Sequence, residues 1–572
     1  MPDSPVDLSI IRVSPSLLAG LLDGLPGRLR RRLDGDPTMG VSWPVALGDD
    51  GTLVIKAGQD TTVTLRPRDG NVAVADAVGC SCLLSPACVH VVATLRRMGI
   101  GDAEEAAGRK TATPEDEVAV VDAAPLASSA RAAVDLALQA TARLLSDGGS
   151  TAGLVLEAEL LRAAHAARVA GLHRLGAALI RAVQRLRDLR AERPESSTPA
   201  LAADVADAAE AALALAAHPD RPPIAAVGTA RRAYEAVGAL RLTGLCAEPV
   251  IAASGHAGVV SHLLSSDGRL WSLPDVRPGA PGRARIAYDG PIDVGDLAIS
   301  HRQLTGEGLH VSAATASDDH RLGAGRTVQA VRRPCHGWDD TSVEAAFDQP
   351  LAAQLERAWP DGLLFLEATV LGAAGEHLVV DHDASPLWCR TTPAGAELGG
   401  RDDLRLLACC PGLALRLVGR VVPERACTLQ LLAARALRPD QLQSPARSNG
   451  IVNLGYDRLQ RNHVPAAGRR PADARLALPE PVPDPLQPFR RHLHRVVLGG
   501  YSTVGARSRR GVERDGATLA ATGLPTAGAL AVALADRATD PSQLLRAWTA
   551  GMAYEGTCAT HLSRSAWLHP LT

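Results

Sequence analysis

Four side chains that bind soft and borderline metal ions lie within eleven residues of this sequence. Cys80 and Cys82 form a Cys-x-Cys pair, and after a gap of five residues Cys88 and His90 form a Cys-x-His pair. Zinc binds thiolates and imidazoles tetrahedrally, and four protein ligands leave no position open for a substrate or an activated water. The pattern therefore predicts one structural Zn²⁺, bound by Cys80, Cys82, Cys88 and His90.

Two different backbone environments are needed to bring these pairs together. Residues two apart in an extended segment point the same way, so the Cys-x-Cys pair fits the end of a strand within residues 71–79. Residues two apart on a helix point about 200° apart, so one member of the Cys-x-His pair must precede the regular helix. Ser85 is predicted to be the helix N-cap with Pro86 directly after it, and residues 91–98 continue as helix up to Gly99. The predicted order is strand, ligand turn, helix.

This arrangement resembles the SWIM zinc finger, in which a Cys-x-Cys pair, a short spacer and a Cys-x-His pair lie on a ββα unit. All four ligand positions of that family are filled here, and strand-like segments at residues 52–56 and 61–66 precede them. The resemblance extends to about residue 105 and implies a zinc module that contacts protein or DNA. The alternative is three apolar core cysteines beside a chance histidine, because free cysteine is often simply buried.

The layout of the whole chain is similar to that of large bacterial SWIM-domain proteins encoded near AAA-type ATPases and von Willebrand A proteins. This wider resemblance implies a protein partner, with an AAA-type ATPase or a von Willebrand A protein as the first choice. It also implies a place in a bacterial multi-protein stress or conflict pathway.

Composition indicates several domains and argues against a chain devoted to nucleic-acid binding. The 572 residues have room for about three to five domains. Only Lys56 and Lys110 among the 60 basic residues are lysine, which indicates the bias of a high-GC genome. The formal net charge of −2 lacks the basic excess of a dedicated nucleic-acid binder.

Other sequence features predict a cytoplasmic location and no membrane partner. The N-terminus carries acids and lacks the apolar core of a secretory signal. The apolar run at residues 519–535 is interrupted by Thr, Gly and Pro525 and is too weak to span a bilayer. The cysteines outside the cluster are scattered, which is typical of reduced, buried thiols.

The spacing of apolar residues predicts an α+β multidomain fold. It combines an N-terminal ββα zinc module, an α-helical domain, one or two small barrel-like β-rich domains and a C-terminal helical segment. Helices are predicted over residues 15–33, 155–189, 199–218 and 229–240. The predicted boundaries are 1–105 for the zinc module, 106–127 for a linker, 128–240 for the helical domain, 241–345 and 346–440 for the β-rich domains, 441–488 for a Pro-rich linker and 489–572 for the C-terminal segment.

The two β-rich segments share a short sequence pattern. An Asp-containing turn followed by Leu-Trp occurs at residues 266–271 and again at 383–388. Duplication of a small barrel and chance explain the pattern equally well.

Catalytic motifs are missing from the sequence, which predicts a protein that is not an enzyme. The segment Gly108–Thr111 has the wrong spacing for a phosphate loop, and no Gly-x-Ser-x-Gly or His-Glu-x-x-His pattern occurs. Cys335 and His336 lack partners at metal-binding spacing. A second metal site could also be imagined on an alternating strand and its turn, where a solvated hairpin is favoured, at Glu376, His377, Asp381, His382 and Asp383.

The net charge of individual segments decides whether DNA binding remains a candidate function. Residues 1–105 contain 10 Lys and Arg against 13 Asp and Glu, a net of −3, so the zinc module is a poor phosphate binder by itself. A basic stretch near the C-terminus contains one acid, Glu513, and could contact phosphates, although a solvated helix face is favoured. Its candidate contact residues are Arg490, Arg491, Arg495, Arg507, Arg509, Arg510 and Arg514.

Zinc-stabilised protein interaction is thus the predicted function. The SWIM-type module would contact a partner, and the helical and β-rich domains would form a scaffold. DNA binding through the module and the C-terminal arginines is the alternative.

Overall fold

Two compact units make up the described part of the chain. The first contains the described residues up to 100, those within 234–481, and 567–568, and the second contains those within 124–229 and 482–566. The predicted linker 106–127 lies almost wholly outside the described residues. The structure is a computed structural model, and it describes residues 8, 11–14, 17–18, 21, 25–36, 38–48, 50–58, 60–100, 124–193, 196–229, 234–252, 255–323, 328–438, 440–443, 449–465, 478 and 481–568.

The N-terminal part of the first unit contains two small sheets and two helices. β2, β3, β4 and β6 form an antiparallel sheet in that order, and β1 lies between β5 and β7 in a parallel sheet. Alternate residues of β3 and β4 are buried, and they share one apolar core with the buried face of α2. The bounds are β1 (Arg12–Val13), α1 (Gly27–Gly35), β2 (Val45–Leu47), β3 (Leu53–Lys56), β4 (Thr62–Leu65), β5 (Asn71–Val72), β6 (Val78–Cys80), α2 (Val89–Leu95) and β7 (Gly99–Ile100).

The helix predicted over residues 15–33 is interrupted. Leu25 and Pro26 are not helical, and α1 begins at Gly27. Proline has no N–H group and its ring clashes with the preceding helical turn, so it lies at a helix N-terminus rather than in an interior.

A five-stranded antiparallel sheet follows within the first unit. The strand order is β10, β9, β8, β13, β14, and a separate hairpin joins β11 to β12. The long central strand β8 pairs with both β9 and β13. The bounds are β8 (Glu235–Ala252), β9 (His256–Ser265), β10 (Leu270–Pro278), β11 (Pro291–Val294), β12 (Leu297–Ser300), β13 (Gly308–Ala316) and β14 (Gln329–Arg333).

The helix predicted over residues 229–240 is wrong, because β8 already begins at Glu235. Four of the twelve residues 229–240 are alanine, and the apolar spacing of the segment is compatible with either structure. The segment forms a strand because it pairs with β13 from Glu235 onward. This pairing is a tertiary contact, which local propensity does not include.

The second β-rich segment contains a closed barrel of five strands. β17, β16, β15, β18 and β19 are neighbours in that order, and a parallel pairing of β17 with β19 closes the ring. β20 extends β19 beyond this pairing. The bounds are β15 (Leu364–Ala374), β16 (His377–His382), β17 (Ser385–Thr391), β18 (Ala414–Val421), β19 (Thr428–Ala436) and β20 (Val452–Asn453).

Part of the predicted Pro-rich linker is folded. β20 lies within it, and Leu454, Leu459 and Val464 are buried in the barrel core. Short helices complete the first unit, at Arg283–Asp289, His301–Leu304, Thr341–Phe347, Leu351–Ala358, Pro393–Glu397 and Gly400–Ala408.

The second unit is α-helical and has one apolar core built mainly from alanine and leucine. That core includes helices from residues 128–217 and from the C-terminal segment, which share buried side chains. No helix in the described residues is long and apolar enough to cross a membrane. The helices are Ser128–Asp147, Leu154–Val169, His173–Arg190, Thr198–Ala217, Ile224–Val227, Gln487–Gly499, Arg509–Ala521, Pro525–Asp536 and Pro541–Leu568.

A buried charge links the five-stranded sheet to the barrel. Glu248 of β8 accepts hydrogen bonds from Arg420 of β18 and, at 2.8 Å, from Nε2 of His262. Burial acts to raise the pKa of Glu248, but the bonds from His262 and Arg420 outweigh it and lower the pKa to about 2. A carboxylate with a depressed pKa stabilises the fold above its ordinary pKa, and the contribution is lost as the pH falls towards the folded value.

Replacing Glu248 with Gln should therefore flatten the acid side of the stability profile. Between pH 7 and pH 3 the wild type should lose about 2 kcal/mol more than Glu248→Gln, since the ordinary pKa is 4.5 and the folded one about 2. Urea unfolding at several pH values measures both free energies of unfolding. Parallel profiles for the two proteins would contradict the assignment.

Candidate metal centre

The four predicted ligands meet at one point of the first unit. The candidate ligand atoms of Cys80, Cys82, Cys88 and His90 all lie within 4.8 Å of one another. Cys80 Sγ is 3.9 Å from His90 Nδ1. A tetrahedral zinc site would separate sulfur from nitrogen by about 3.6 Å and two sulfurs by about 3.8 Å. This Cys₃His cluster could therefore hold a metal ion.

Strand and turn geometry position the Cys-x-Cys pair. Cys80 ends β6 and lies opposite Val63 of β4, which fixes its direction. The backbone N–H of Ser81 donates to the Thr62 carbonyl oxygen at 2.9 Å, so the pairing extends one residue beyond the strand. Cys82 then begins the turn that leads to the second pair.

The start of α2 positions the Cys-x-His pair. Cys88 is the N-cap residue with an extended backbone, φ −129° and ψ 159°, and His90 lies in the first helical turn. Because Cys88 precedes the regular helix, the two side chains can converge although they are only two residues apart. The Val91 N–H points at Cys88 Sγ over 3.5 Å.

Ser85 has a different role from the predicted N-cap. Its hydroxyl oxygen accepts the backbone N–H of Cys80 at 2.9 Å, and the N-cap of the helix is Cys88, three residues after it. The bond ties the ligand turn back to the end of β6. The strand, ligand turn, helix order predicted from the sequence is present in the structure.

Burial makes the cluster costly to ionise without a cation. It raises the pKa of Cys88 to about 12 and also raises the pKa of Cys80. Burial acts in the same direction on Cys82, but bonds from the Leu84 N–H and the neighbouring thiols lower its pKa. Burial lowers the pKa of His90 and so favours the neutral imidazole that binds metal. A divalent cation would compensate thiolate charge that the protein by itself does not.

The surroundings of the cluster are apolar on one side and open on the other. Cys88 is buried in the module core, and the ring of Trp43 lies 6.0 Å from that of His90, centroid to centroid. Leu83 and Leu84, in the ligand turn, are 103% and 51% exposed. Two large apolar side chains thus project from a turn whose ends carry the candidate metal ligands.

The other sequence candidates do not form a metal site. Among the described residues, the Cys₃His cluster is the only group of at least three potential ligands that converges. Residues 376–383 form the predicted hairpin around β16, where His382 bonds the Glu367 carbonyl oxygen at 2.8 Å. Cys335 Sγ instead lies 3.6 Å from a carboxylate oxygen of Asp340.

The C-terminal arginines lie on or beside two helices of the second unit, and three of them pair with carboxylates. Arg490 contacts Asp484 and Glu555, and Arg491 contacts Asp515. Arg509 pairs with Glu513 and with Asp536, which lies 27 residues further along the chain. The remaining four have no carboxylate partner within the described chain, namely Arg495, Arg507, Arg510 and Arg514.

A second charged cluster has no counterpart in the sequence predictions. Arg96, Arg97, Arg241 and Arg333 surround a cavity of about 290 Å³ in the first unit. Three separate stretches of the chain supply them, so no spacing rule could have found them. The adjacent pair Arg96 and Arg97 was the one local signal.

The comparisons with known proteins leave the family open. The chain matches no protein-family model, no curated protein and no solved structure. The candidate metal centre therefore rests on its own geometry and on the types of its ligands.

Proposed function

We propose that the N-terminal part of the chain is a SWIM-type zinc module and that the protein is a non-enzymatic interaction protein. The convergence of three cysteines and one histidine on one point, at the junction of a β-sheet and a helix, carries this proposal. Thiolate-rich tetrahedral sites favour zinc or iron–sulfur centres over hard cations such as magnesium and calcium, and a mixed set of three cysteines and one histidine is a common structural zinc site.

A structural role for the metal follows from the ligand set. Four protein ligands complete the tetrahedron, so neither substrate nor an activated water has a coordination position. Metal binding to such a site supplies folding free energy, about 10 to 16 kcal/mol in zinc-finger peptides. The ligands come from the end of β6, the turn and the start of α2, so the ion would hold these three elements together.

The exposed ligand turn supports protein contact rather than catalysis. Leu83 and Leu84 are exposed between two ligand positions, Cys82 and Cys88. Exposed large apolar side chains on a rigid support are typical of protein interfaces. By the wider resemblance, the partner to test first is an AAA-type ATPase or a von Willebrand A protein.

Native mass spectrometry of the whole protein tests the metal assignment. We expect one bound zinc per chain, lost on chelation and absent from Cys88→Ser, because removing one of four ligands typically abolishes a structural site. The matched control is Cys409→Ser, since Cys409 is partly buried and lies outside the cluster. Zinc-free wild-type protein, or equal zinc loss in the control, would refute the proposal.

DNA binding remains the alternative function. Arg490, Arg491 and Arg509 already have carboxylate partners, which weakens the case for phosphate contact by the C-terminal stretch. Short duplex DNA added in the same experiment distinguishes the two functions. A stable complex that weakens steeply with salt would favour DNA binding over protein interaction.

A further inference from the structure

A cavity of about 540 Å³ lies in the second unit, beside the start of its last helix. Residues of three helices line it, namely Ser128–Asp147, Thr198–Ala217 and Pro541–Leu568. The volume lies within the range of small-molecule pockets, about 300 to 1,000 Å³, and the space between packed helices is a common place for such pockets. A small molecule is therefore the kind of occupant that fits.

The most buried residues of the lining are apolar. Ala142 and Leu545 are 7% and 2% exposed, and Leu138 and Leu213 are partly buried. Each of the three helices thus supplies at least one apolar side chain. A ligand that covers these side chains gains the free energy of removing apolar surface from water, so the body of the ligand should be a hydrocarbon.

Three of the four charged residues of the lining have their partners within the second unit. Arg143 pairs with Asp147 at 3.3 Å and with Glu159 at 2.6 Å. Asp540 accepts the backbone N–H of Ser542 at 2.9 Å and its hydroxyl at 2.7 Å. These contacts leave neither carboxylate of the lining as a ready partner for a cationic ligand.

Arg546 differs from the other charged residues of the lining. Within the described chain its guanidinium has no ion pair and no hydrogen bond. Arg546 directly follows Leu545 in the last helix, so an available cation adjoins the apolar part of the lining. A guanidinium presents a planar fork of N–H groups that matches the two oxygens of a carboxylate.

We propose that this cavity binds an apolar monocarboxylate, with the hydrocarbon chain against the leucines and the carboxylate on Arg546. One available guanidinium matches one negative charge, whereas a dianion would carry an uncompensated charge close to Asp147 and Asp540. The candidate metal ligands lie in the first unit, so this proposal does not depend on the proposed interaction function.

Calorimetric titration of the full-length protein tests the site with three probes of equal chain length: octanoate, octan-1-ol and octylamine. We expect one equivalent of octanoate to bind saturably and about fivefold more tightly than octan-1-ol, which is the upper end for a solvated ion pair. Octylamine should bind more weakly than octan-1-ol. Hexanoate should bind more weakly than octanoate, by about fourfold for each methylene group that is no longer buried.

Two variants separate the charge from the apolar lining. Arg546→Gln should remove the advantage of octanoate over octan-1-ol and leave the binding of octan-1-ol unchanged. Arg546 is exposed, so this substitution does not disturb the core. Leu138→Ser should weaken both probes alike, because it removes apolar lining and no charge.

Arg162→Gln is the matched control. Arg162 is an exposed arginine on a helix of the same unit, it has no ion pair within the described residues, and it does not line the cavity. Its variant should bind all the probes as the wild type does. The proposal would be overturned by a lack of saturable octanoate binding, by octylamine binding as tightly as octanoate, or by equal weakening in Arg162→Gln.

Discussion

Replacing Cys88 with serine in the zinc-loaded protein is expected to release the metal and unfold the N-terminal module while the remaining elements stay folded. Cys88 is 1% exposed and is both a candidate metal ligand and the N-cap of α2. Loss of a structural zinc removes free energy of the order of 10 kcal/mol, far more than one core substitution. The module has no other stabilising free energy of this size, because its strands are only two to four residues long.

Limited trypsin digestion measures this local unfolding. Cleavage after Arg96 is the most diagnostic event, because Arg96 is 1% exposed and its guanidinium bonds the Leu33 carbonyl oxygen. New cuts are expected after Arg96 and after Lys56 of β3. Cys409→Ser should give the wild-type pattern. If the digest of Cys88→Ser matched that of the wild type, the metal would not have the expected structural role.

Replacing Trp338 with alanine is expected to destabilise the first unit by about 3 to 5 kcal/mol. Trp338 is fully buried, its indole N–H donates to the Leu245 carbonyl oxygen at 2.9 Å, and its ring lies 5.4 Å from that of Phe347. The surrounding core joins residues of the five-stranded sheet, such as Leu264, to barrel residues such as Phe365. Truncation leaves a cavity between the two β structures as well as an unpaired carbonyl.

Trp388→Ala is the control for Trp338→Ala. Trp388 is a tryptophan of the same unit, on β17, but it is only partly buried. Urea unfolding should show a much larger loss of stability for Trp338→Ala than for Trp388→Ala. Equal losses would show that the shared core does not hold the sheet and the barrel together.

The metal cluster was predictable because its information is local. Cys80 to His90 span eleven residues, and the choice of backbone at each position follows from side-chain directions alone. The predicted role of Ser85 as the helix N-cap was wrong. Its hydroxyl bonds the Cys80 N–H across the turn, and only the folded turn creates that contact.

The β-rich fold was predictable in type but not in topology. Hairpin signals identify strands, whereas the parallel contact of β17 with β19 that closes the barrel joins segments with a helix pair and β18 between them. The start of β8 was predicted wrongly, as a helix, for a related reason. Its pairing with β13 outweighs the helical tendency of its alanine-rich sequence. Local sequence patterns therefore do not predict which distant strands pair.

Charge clusters show the same division between local and distant information. The C-terminal arginines look unbalanced over residues 490–514, yet Glu555 and Asp536 lie further along the chain. Conversely, Arg97, Arg241 and Arg333 share a cavity although they are far apart in sequence. The net charge of a stretch of sequence therefore predicts neither the ion pairs of the C-terminal helices nor the arginines that meet around the cavity.

The arrangement of strand edges has a consequence for strand exchange between copies of the chain. In the barrel, β17 and β19 use each other as hydrogen-bonding partners, so the five-stranded ring has no outermost strand, and the strand that extends it, β20, is two residues long. The five-stranded sheet has two outermost strands, β10 and β14, and β10 contains Pro274 and Pro278, which cannot donate a backbone hydrogen bond. The closed ring and the prolines of β10 oppose domain swapping and fibril growth through these edges.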